Sequence, residues 1–177
     1  KGFAGEWLAG WINENTEIEC IEISKQAEEM NHNCGAGEIS PTQSWTFEQA
    51  SQENHILIKQ LKPAEPGTIV AAALDGDGDR CLIIRATSTG FKVVDGDEIA
   101  DLVVNAGTLF GNEWVLAASI ESDLSLLSNL VRFPCKVVPI ETAVGDRWLS
   151  FALQKHLKDS LDKKTTCPRV IGVEDSG

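Results

Sequence analysis

The sequence predicts an α/β protein, because short apolar segments of strand character alternate with segments of helical spacing along its 177 residues. Apolar residues make up 42% of the chain, which is enough to bury a sizeable core. The order strand, helix, strand in the second half favours crossover connections and a mainly parallel sheet. We therefore expect two consecutive α/β domains, with mainly parallel mixed sheets flanked by helices, at residues 1–94 and 95–177.

The first half is predicted to contain two helices and three strands. Phe3, Trp7 and Trp11 recur at helical spacing, and Pro63 ends the second helical pattern. The run at residues 68–74 consists of small apolar residues, which is typical of a strand buried on both faces. We place helices at residues 3–14 and 47–61, and strands at residues 17–23, 68–74 and 81–86.

The second half repeats this alternation, so the two halves are predicted to be similar in class. Helices are expected at residues 97–106, 123–131 and 144–157, and strands at residues 114–120, 136–140 and 169–173. A turn near residue 95 separates the halves, because Asp and Gly cluster there. The tryptophans are expected to be core and helix-packing residues: Trp7, Trp11, Trp45, Trp114 and Trp148.

Composition excludes several classes of protein. The net charge of −12 and the pI near 4.6 argue against nucleic-acid binding, which depends on clustered Lys and Arg. No apolar run approaches the ~20 residues of a membrane span. The five cysteines are widely spaced, without a C-x-x-C pair, so we expect small buried thiols in a cytoplasmic protein and no zinc site.

The strongest chemical signal is the sequence DGDGDR at residues 75–80, directly after a predicted strand. Glycines between the carboxylates let the backbone turn tightly, so that Asp75, Asp77 and Asp79 can converge on one point. Three converging anions repel one another unless a cation lies between them. Carboxylate oxygens favour Mg²⁺ or Ca²⁺ over softer metals. The loop therefore predicts a divalent-cation site.

Three known kinds of acidic loop can be compared with these residues. An EF-hand is excluded, because its sixth and twelfth positions would be Arg80 and Ala86 instead of Gly and Glu. A Mg-dependent aspartyl phosphatase of the haloacid dehalogenase type also has two Asp residues after a strand, but it usually has Thr or Val at the position of Asp79. A non-enzymatic calcium-binding module would be expected to repeat the acidic loop, and the chain has one.

Three motifs in order resemble the α-D-phosphohexomutase superfamily, which includes phosphoglucomutases and phosphomannomutases. DGDGDR resembles the metal-binding loop of that family, and TAVGDRW at residues 142–148 resembles a segment of its following domain. GVEDSG at residues 172–177 keeps the Glu-x-Ser-Gly core of the sugar-recognition loop, with one extra residue before Glu174. The chain therefore looks like the second and third domains of such an enzyme.

The resemblance implies an intramolecular phosphotransferase that interconverts hexose or hexosamine 1- and 6-phosphates through a phosphoserine and a bisphosphate. It assigns Mg²⁺ to the three aspartates and contact with the phosphoryl group to Arg80. It assigns substrate binding to Glu174, Ser176, Asp146 and Arg147. The serine loop of the first domain and the fourth domain have no counterpart here, so we expect a fragment that is inactive alone. The identity of the sugar stays open.

Overall fold

The computed structural model describes residues 4–23, 29, 32–107, 113–128, 130–162 and 168–175. The chain divides into two compact units, of which the first ends at Asp95 and the second begins at Gly96. Both contain helices and a sheet, so the predicted α/β class is confirmed. Among the residues with described positions, no helix combines the length and the apolar character that crossing a bilayer requires.

The first unit is built on a four-stranded sheet in the order β1-β4-β3-β2, and every pair in it is antiparallel. Its strands are β1 (Ser44–Thr46), β2 (Ile69–Leu74), β3 (Cys81–Ala86) and β4 (Gly90–Val94). Its helices are α1 (Ala4–Asn15) and α2 (Phe47–Gln52).

Short connections explain why this sheet differs from the expected parallel arrangement. Leu74 pairs with Cys81 across β2 and β3, so residues 75–80 form the loop of a hairpin. Three residues join β3 to β4. A parallel pair needs a crossover of a dozen or more residues, which neither connection provides. The first sheet is therefore antiparallel, and the aspartate motif is the loop of a hairpin. The predicted parallel arrangement is found in the second unit.

The core of the first unit lies on one face of this sheet. Phe91, Ile84 and Leu82 are almost fully buried there, together with Ile58 from the segment after α2. Phe47 meets Phe91 edge to face, with ring centroids 5.3 Å apart. The strands β3 and β4 therefore contribute to one core, which Phe47 and Ile58 also join.

The strand predicted at residues 17–23 is wrong, because residues 18–23 have no regular secondary structure. The backbone amide and carbonyl of Cys20 are hydrogen-bonded to the side chain of Asn13 and not to a neighbouring strand. Nδ2 of Asn13 donates to the Cys20 carbonyl at 2.9 Å, and the Cys20 amide donates to Oδ1 of Asn13 at 2.6 Å. Ile18 and Ile21 are largely exposed, so the alternating pattern does not correspond to a buried face.

The helix predicted at residues 47–61 is also shorter than expected. Thr46 and Gln49 form a capping box at its start, and the helix ends at Gln52 because Glu53 is extended. After it, the Ile56 amide donates to the Asn33 carbonyl and leaves the helical hydrogen-bond pattern. One turn of 3-10 helix follows at Ile58–Gln60. Contacts with a distant loop therefore outweigh the local helical spacing.

The second unit contains a three-stranded parallel sheet in the order β6-β5-β7. Its strands are β5 (Glu113–Ser119), β6 (Lys136–Thr142) and β7 (Arg169–Val173). Its helices are α3 (Gly96–Gly107), α4 (Leu124–Ser128) and α5 (Asp146–Asp162). The central strand β5 is buried on both faces, which agrees with the apolar run in its sequence. The carboxyl ends of all three strands lie at one edge of this sheet.

Two helices of the second unit differ in extent from the prediction. The helix expected at residues 123–131 is the five-residue α4 followed by a 3-10 turn at Leu130–Arg132. The helix expected at residues 144–157 begins at Asp146, since Gly145 has a φ of 114° and cannot be helical. It then continues to Asp162, past the predicted end.

Three of the five tryptophans are not core residues, contrary to the prediction. Trp45 and Trp114 are buried, whereas Trp7, Trp11 and Trp148 are 68%, 50% and 42% exposed. The first two exposed rings lie on α1, a helix in which no residue is buried. Helical spacing identified the helix correctly but not how deeply it is buried.

Two glycine substitutions in the first unit test how closely the chain is packed, one in its sheet and one on α1. A Cβ on Gly90 would lie 1.8 Å from the Trp45 carbonyl oxygen, so Gly90→Ala must push β1 away from β4 and should destabilise by about 3 kcal/mol. A Cβ on Gly10, within α1, meets nothing within 4 Å, so Gly10→Ala should stabilise by about 0.5–1 kcal/mol. Urea unfolding monitored by tryptophan fluorescence measures both, and equal midpoints would contradict this packing.

Candidate functional site

The hairpin loop between β2 and β3 holds one aspartate in a fixed position. Oδ1 of Asp75 accepts hydrogen bonds from the Gly78 amide at 3.0 Å and from the Arg80 amide at 3.2 Å. The side chain of Asp75 is 9% exposed, whereas Asp77 and Asp79 are exposed. The loop therefore folds around the Asp75 carboxylate and presents the other two to solvent.

The three carboxylates predicted to bind a cation do come together. One oxygen from each of Asp75, Asp77 and Asp79 lies within 4.8 Å of the other two. Within the described ranges, this is the one group of three or more His, Cys, Asp or Glu side chains with such spacing. These three hard oxygen donors suit Mg²⁺ or Ca²⁺, and a hydrated Mg²⁺ ion commonly uses few protein carboxylates.

The pKa values of two of these groups shift in opposite directions. Burial raises the pKa of Asp75, but the amides of Arg80 and Gly78 and the neighbouring carboxyls outweigh it, so this pKa is lowered. The pKa of Asp79 is raised, first by its hydrogen bond to Asp75, then by burial and by the charges of Asp75 and Asp77. The opposite directions mean that Asp75 is the more acidic of the two carboxyls and Asp79 the less acidic.

Gly78 is the glycine on which the shape of this loop depends. Its φ of 79° lies in the left-handed region that residues with a side chain rarely adopt. A Cβ there would also lie 2.6 Å from the Cβ of Ala4, at the start of α1. Because the Gly78 amide is one of the two donors to Asp75, this backbone conformation also orients the carboxylate.

Arg80 pairs only loosely with the aspartates. Its Nε lies 3.8 Å from Oδ2 of Asp75, and about half of its side chain is exposed. An exposed pair at this distance contributes little to stability, because water screens it. The guanidinium therefore keeps most of its donors available to solvent or to an anionic ligand.

An apolar cavity of about 560 Å³ lies in the same unit, between α1 and β2. Its lining includes Leu8, Ile12 and Ile23, and also Asp75 and Gly76 from the loop. Most of the lining is hydrocarbon, which offers few partners for sugar hydroxyls or phosphate oxygens. The polar groups of the loop, and not this cavity, are suited to a phosphorylated ligand.

Three of the substrate-binding residues predicted in the second unit, Glu174, Asp146 and Arg147, lie at the carboxyl edge of its sheet. Glu174 follows β7, and its Oε1 accepts a hydrogen bond from the Gly145 amide in the loop after β6. Asp146 and Arg147, both exposed, begin α5 directly after that glycine. The structure therefore brings Glu174 together with the 142–148 segment. Ser176 lies outside the described residues.

Asp146 and Arg147 make contacts within their own segment. Oδ1 of Asp146 accepts from the Arg147 amide at 2.6 Å, and the Arg147 guanidinium lies 4.9 Å from the centre of the Trp148 ring. An acidic residue in the first turn of a helix is favoured by the helix dipole, so Asp146 also has a structural role.

One structurally important residue of this edge was not identified from sequence. Asp97, in the first turn of α3, is buried, and its Oδ2 accepts from the Asp123 amide in the loop after β5. The adjacent Gly96 amide donates to the Asp175 carbonyl. The Asp-Gly-Asp cluster at residues 95–97 predicts a turn between domains, and nothing in its sequence indicates that Asp97 is buried.

The sequence is similar to phosphoglucosamine mutases. It is 34% identical over 100 residues to the enzyme of Salinispora arenicola and 27% identical over 145 residues to that of Salinispora tropica. These matches cover 54% and 80% of this chain, but 21% and 27% of the relatives. The chain thus spans about a quarter of the length of these curated relatives. No protein-family model matches it.

Solved structures share the fold. An N-acetylglucosamine-phosphate mutase of the alpha-D-phosphohexomutase superfamily, in its apo form, matches 83% of this chain and 25% of its own, with a TM-score of 0.52 and 18% identity. The N-acetylphosphoglucosamine mutase of Aspergillus fumigatus, in complex with glucose 1,6-bisphosphate, matches 98% and 30%, with a TM-score of 0.54 and 20% identity. The predicted resemblance to this superfamily is confirmed.

The raised pKa of Asp79 leads to a prediction for the metal-free chain. Ionising Asp79 costs more in the folded chain than in the unfolded one, so the wild type loses stability as the pH rises through this raised pKa. Asp79→Asn cannot ionise and should unfold at a higher temperature than the wild type at pH 7 in EDTA. The difference should vanish at a pH below the usual range of an aspartate.

Thermal unfolding between pH 3 and pH 8 measures this difference. Glu65→Gln, at an exposed loop position of the same unit, serves as the matched control and should show no such pH dependence. A wild type as stable as Asp79→Asn at pH 7 would contradict a raised pKa of Asp79 in the folded chain.

Proposed function

We propose that this chain is the segment of a phosphohexomutase that holds its metal loop and a sugar-recognition loop. The full-length protein would interconvert the 6-phosphate and the 1-phosphate of a hexosamine. Homology to phosphoglucosamine mutases supports an amino sugar over glucose or mannose. The observation that carries the proposal is the convergence of three carboxylates in the DGDGDR hairpin loop.

The proposed reaction follows the resemblance to the superfamily. A phosphoserine elsewhere in the full-length protein would transfer its phosphoryl group to the sugar phosphate. The bisphosphate would then reverse its orientation in the site and return its other phosphoryl group to the serine. The 177 residues contain no serine loop of that type, so the chain alone is expected to bind ligands without turnover.

Mg²⁺ is the proposed cofactor, held by Asp75, Asp77 and Asp79. When bound, it supplies positive charge that offsets the negative charge of the transferring phosphoryl group. The chain contributes the orientation of these ligands. The amides of Gly78 and Arg80 hold the Asp75 carboxylate in place before an ion binds. Such preorganisation lowers the cost of assembling the site around a phosphorylated ligand.

Arg80 is proposed to contact the oxygens of the phosphoryl group. Its guanidinium offers a planar fork of donors, and its weak pairing with Asp75 leaves it able to reach an anion. Glu174 and Ser176 are proposed to hydrogen-bond to sugar hydroxyls, with Asp146 and Arg147 as further substrate contacts. Carboxylate acceptors and hydroxyl donors together suit a vicinal diol.

The other functions considered have less support. The homologues are mutases, which does not favour an aspartyl phosphatase. A calcium-binding module would be expected to repeat its acidic loop, and the described parts of the chain contain one such cluster. A cytoplasmic location is part of the proposal, supported by the free thiols of Cys20, Cys34, Cys81 and Cys135.

Magnesium binding to the chain itself is the first test. Mg²⁺ should raise the unfolding temperature of the wild type, because a ligand that binds the folded state stabilises it. Asp77→Asn replaces a charged ligand with a neutral one and should weaken Mg²⁺ binding by roughly tenfold or more, measured by isothermal titration calorimetry. Glu65→Gln removes an equal charge outside the cluster and should bind Mg²⁺ like the wild type. Equal affinities for all three would contradict the metal assignment.

Activity of the full-length protein is the second test. With Mg²⁺ and glucose 1,6-bisphosphate, it should convert glucosamine 6-phosphate to the 1-phosphate, followed by ³¹P nuclear magnetic resonance. Asp77→Ala should lower the rate by roughly 100-fold, since the charge on the transferring group is no longer offset. An unchanged rate would contradict the role of the loop, and phosphorylation of Asp75 instead of a serine would indicate a phosphatase.

A further inference from the structure

The loop that precedes α5 is held by a side chain from a different part of the sheet. Glu174 follows β7 and Gly145 follows β6, 29 residues earlier in the chain, and the two are joined by the hydrogen bond from the Gly145 amide to Glu174 Oε1, at 2.5 Å. In the sheet, β5 lies between β6 and β7. The contact therefore spans the carboxyl end of the central strand.

The backbone around Gly145 explains why an external acceptor is needed. A helix begins with amides that have no partner inside the helix, and a side chain usually accepts from one of them. Gly145 has no side chain, and its φ of 114° disfavours any residue that has one. Gly145 therefore cannot cap α5 with a side chain, and Oε1 of Glu174 instead accepts from the amide of Gly145 itself, directly before the first helical residue. The negative charge of Glu174 at the start of the 17-residue α5 is favoured by the helix dipole.

Other backbone hydrogen bonds of this segment connect it to its own neighbours, and the bond to Glu174 connects it to the loop after β7. The Ile120 amide donates to the Thr142 carbonyl, which ties the start of the segment to β5. The Trp148 amide donates to the Gly145 carbonyl within the first turn of α5. Neither of these bonds reaches the loop after β7. The bond from Gly145 to Glu174 does so.

We infer that Glu174 is a positioning residue for the 145–147 segment, holding Gly145 so that Asp146 and Arg147 keep one conformation before any sugar binds. This inference rests on the proposed function, because it takes those two residues as substrate contacts. A carboxylate has two oxygens, so binding of Oε1 to Gly145 leaves the other for a sugar hydroxyl. The segment is then preorganised, so that substrate binding costs less conformational entropy.

Amide hydrogen exchange of the ligand-free chain tests the inference without any sugar. Glu174→Ala should speed exchange at Gly145 by roughly tenfold, since a hydrogen bond to a charged group is lost. Glu174→Gln keeps a neutral acceptor and should restore part of the protection. Glu141→Gln removes an exposed carboxylate from β6 and should leave Gly145 unchanged. Wild-type exchange at Gly145 in Glu174→Ala would overturn the inference.

A titration with glucosamine 6-phosphate separates this inference from the proposed function. The sugar should shift the amide resonances of Asp146 and Arg147 in the wild type, with weaker binding to Glu174→Ala and partial rescue in Glu174→Gln. Faster exchange in Glu174→Ala with unchanged sugar affinity would overturn both the positioning role and the proposed contact of Glu174 with the sugar. The shifts of Asp146 and Arg147 in the wild type would still support a sugar site at this edge. No shift in the wild type would count against the proposed function, while the exchange data still decide whether Glu174 holds Gly145.

Discussion

Mutual repulsion among three carboxylates is the constraint on which the candidate site depends. Asp75, Asp77 and Asp79 have oxygens within 4.8 Å of one another. The pKa of Asp79 is raised by its hydrogen bond to Asp75 and by burial, and the charges of Asp75 and Asp77 add to this shift. The fold tolerates this repulsion because two backbone amides hold Asp75 and because Asp77 and Asp79 remain in contact with water. Natural sites often retain such unfavourable arrangements where a ligand relieves them.

Each unit places its polar loops at the ends of strands, but by different means. In the first unit an antiparallel hairpin presents the aspartates, and the loop is short because β2 and β3 are directly paired. In the second unit a parallel sheet gathers the ends of β5, β6 and β7 at one edge, where Glu174 reaches Gly145. Loops positioned by rigid strands are a common place for binding residues.

Local sequence patterns predicted most elements and the loop that carries the chemistry. The strands at residues 68–74 and 81–86 are present, and the aspartates converge as expected. The wrong predictions concern segments whose secondary structure depends on contacts with distant residues. The side chain of Asn13 occupies the backbone groups of Cys20, so residues 17–23 do not form a strand, and the carbonyl of Asn33 draws residue 56 out of the predicted helix. Such partners cannot be read from hydrophobic spacing.

The sequence by itself determined the α/β class, the resemblance to phosphohexomutases and the convergence of the three aspartates. It did so because residue patterns, glycine spacing and carboxylate chemistry are local properties. Only the tertiary structure decided that the first sheet is antiparallel, that Trp7 and Trp11 are exposed, and that Glu174 meets Gly145. Strand pairing and burial depend on which surfaces meet, and residues 29 positions apart become neighbours only when the parallel sheet brings their loops to one edge.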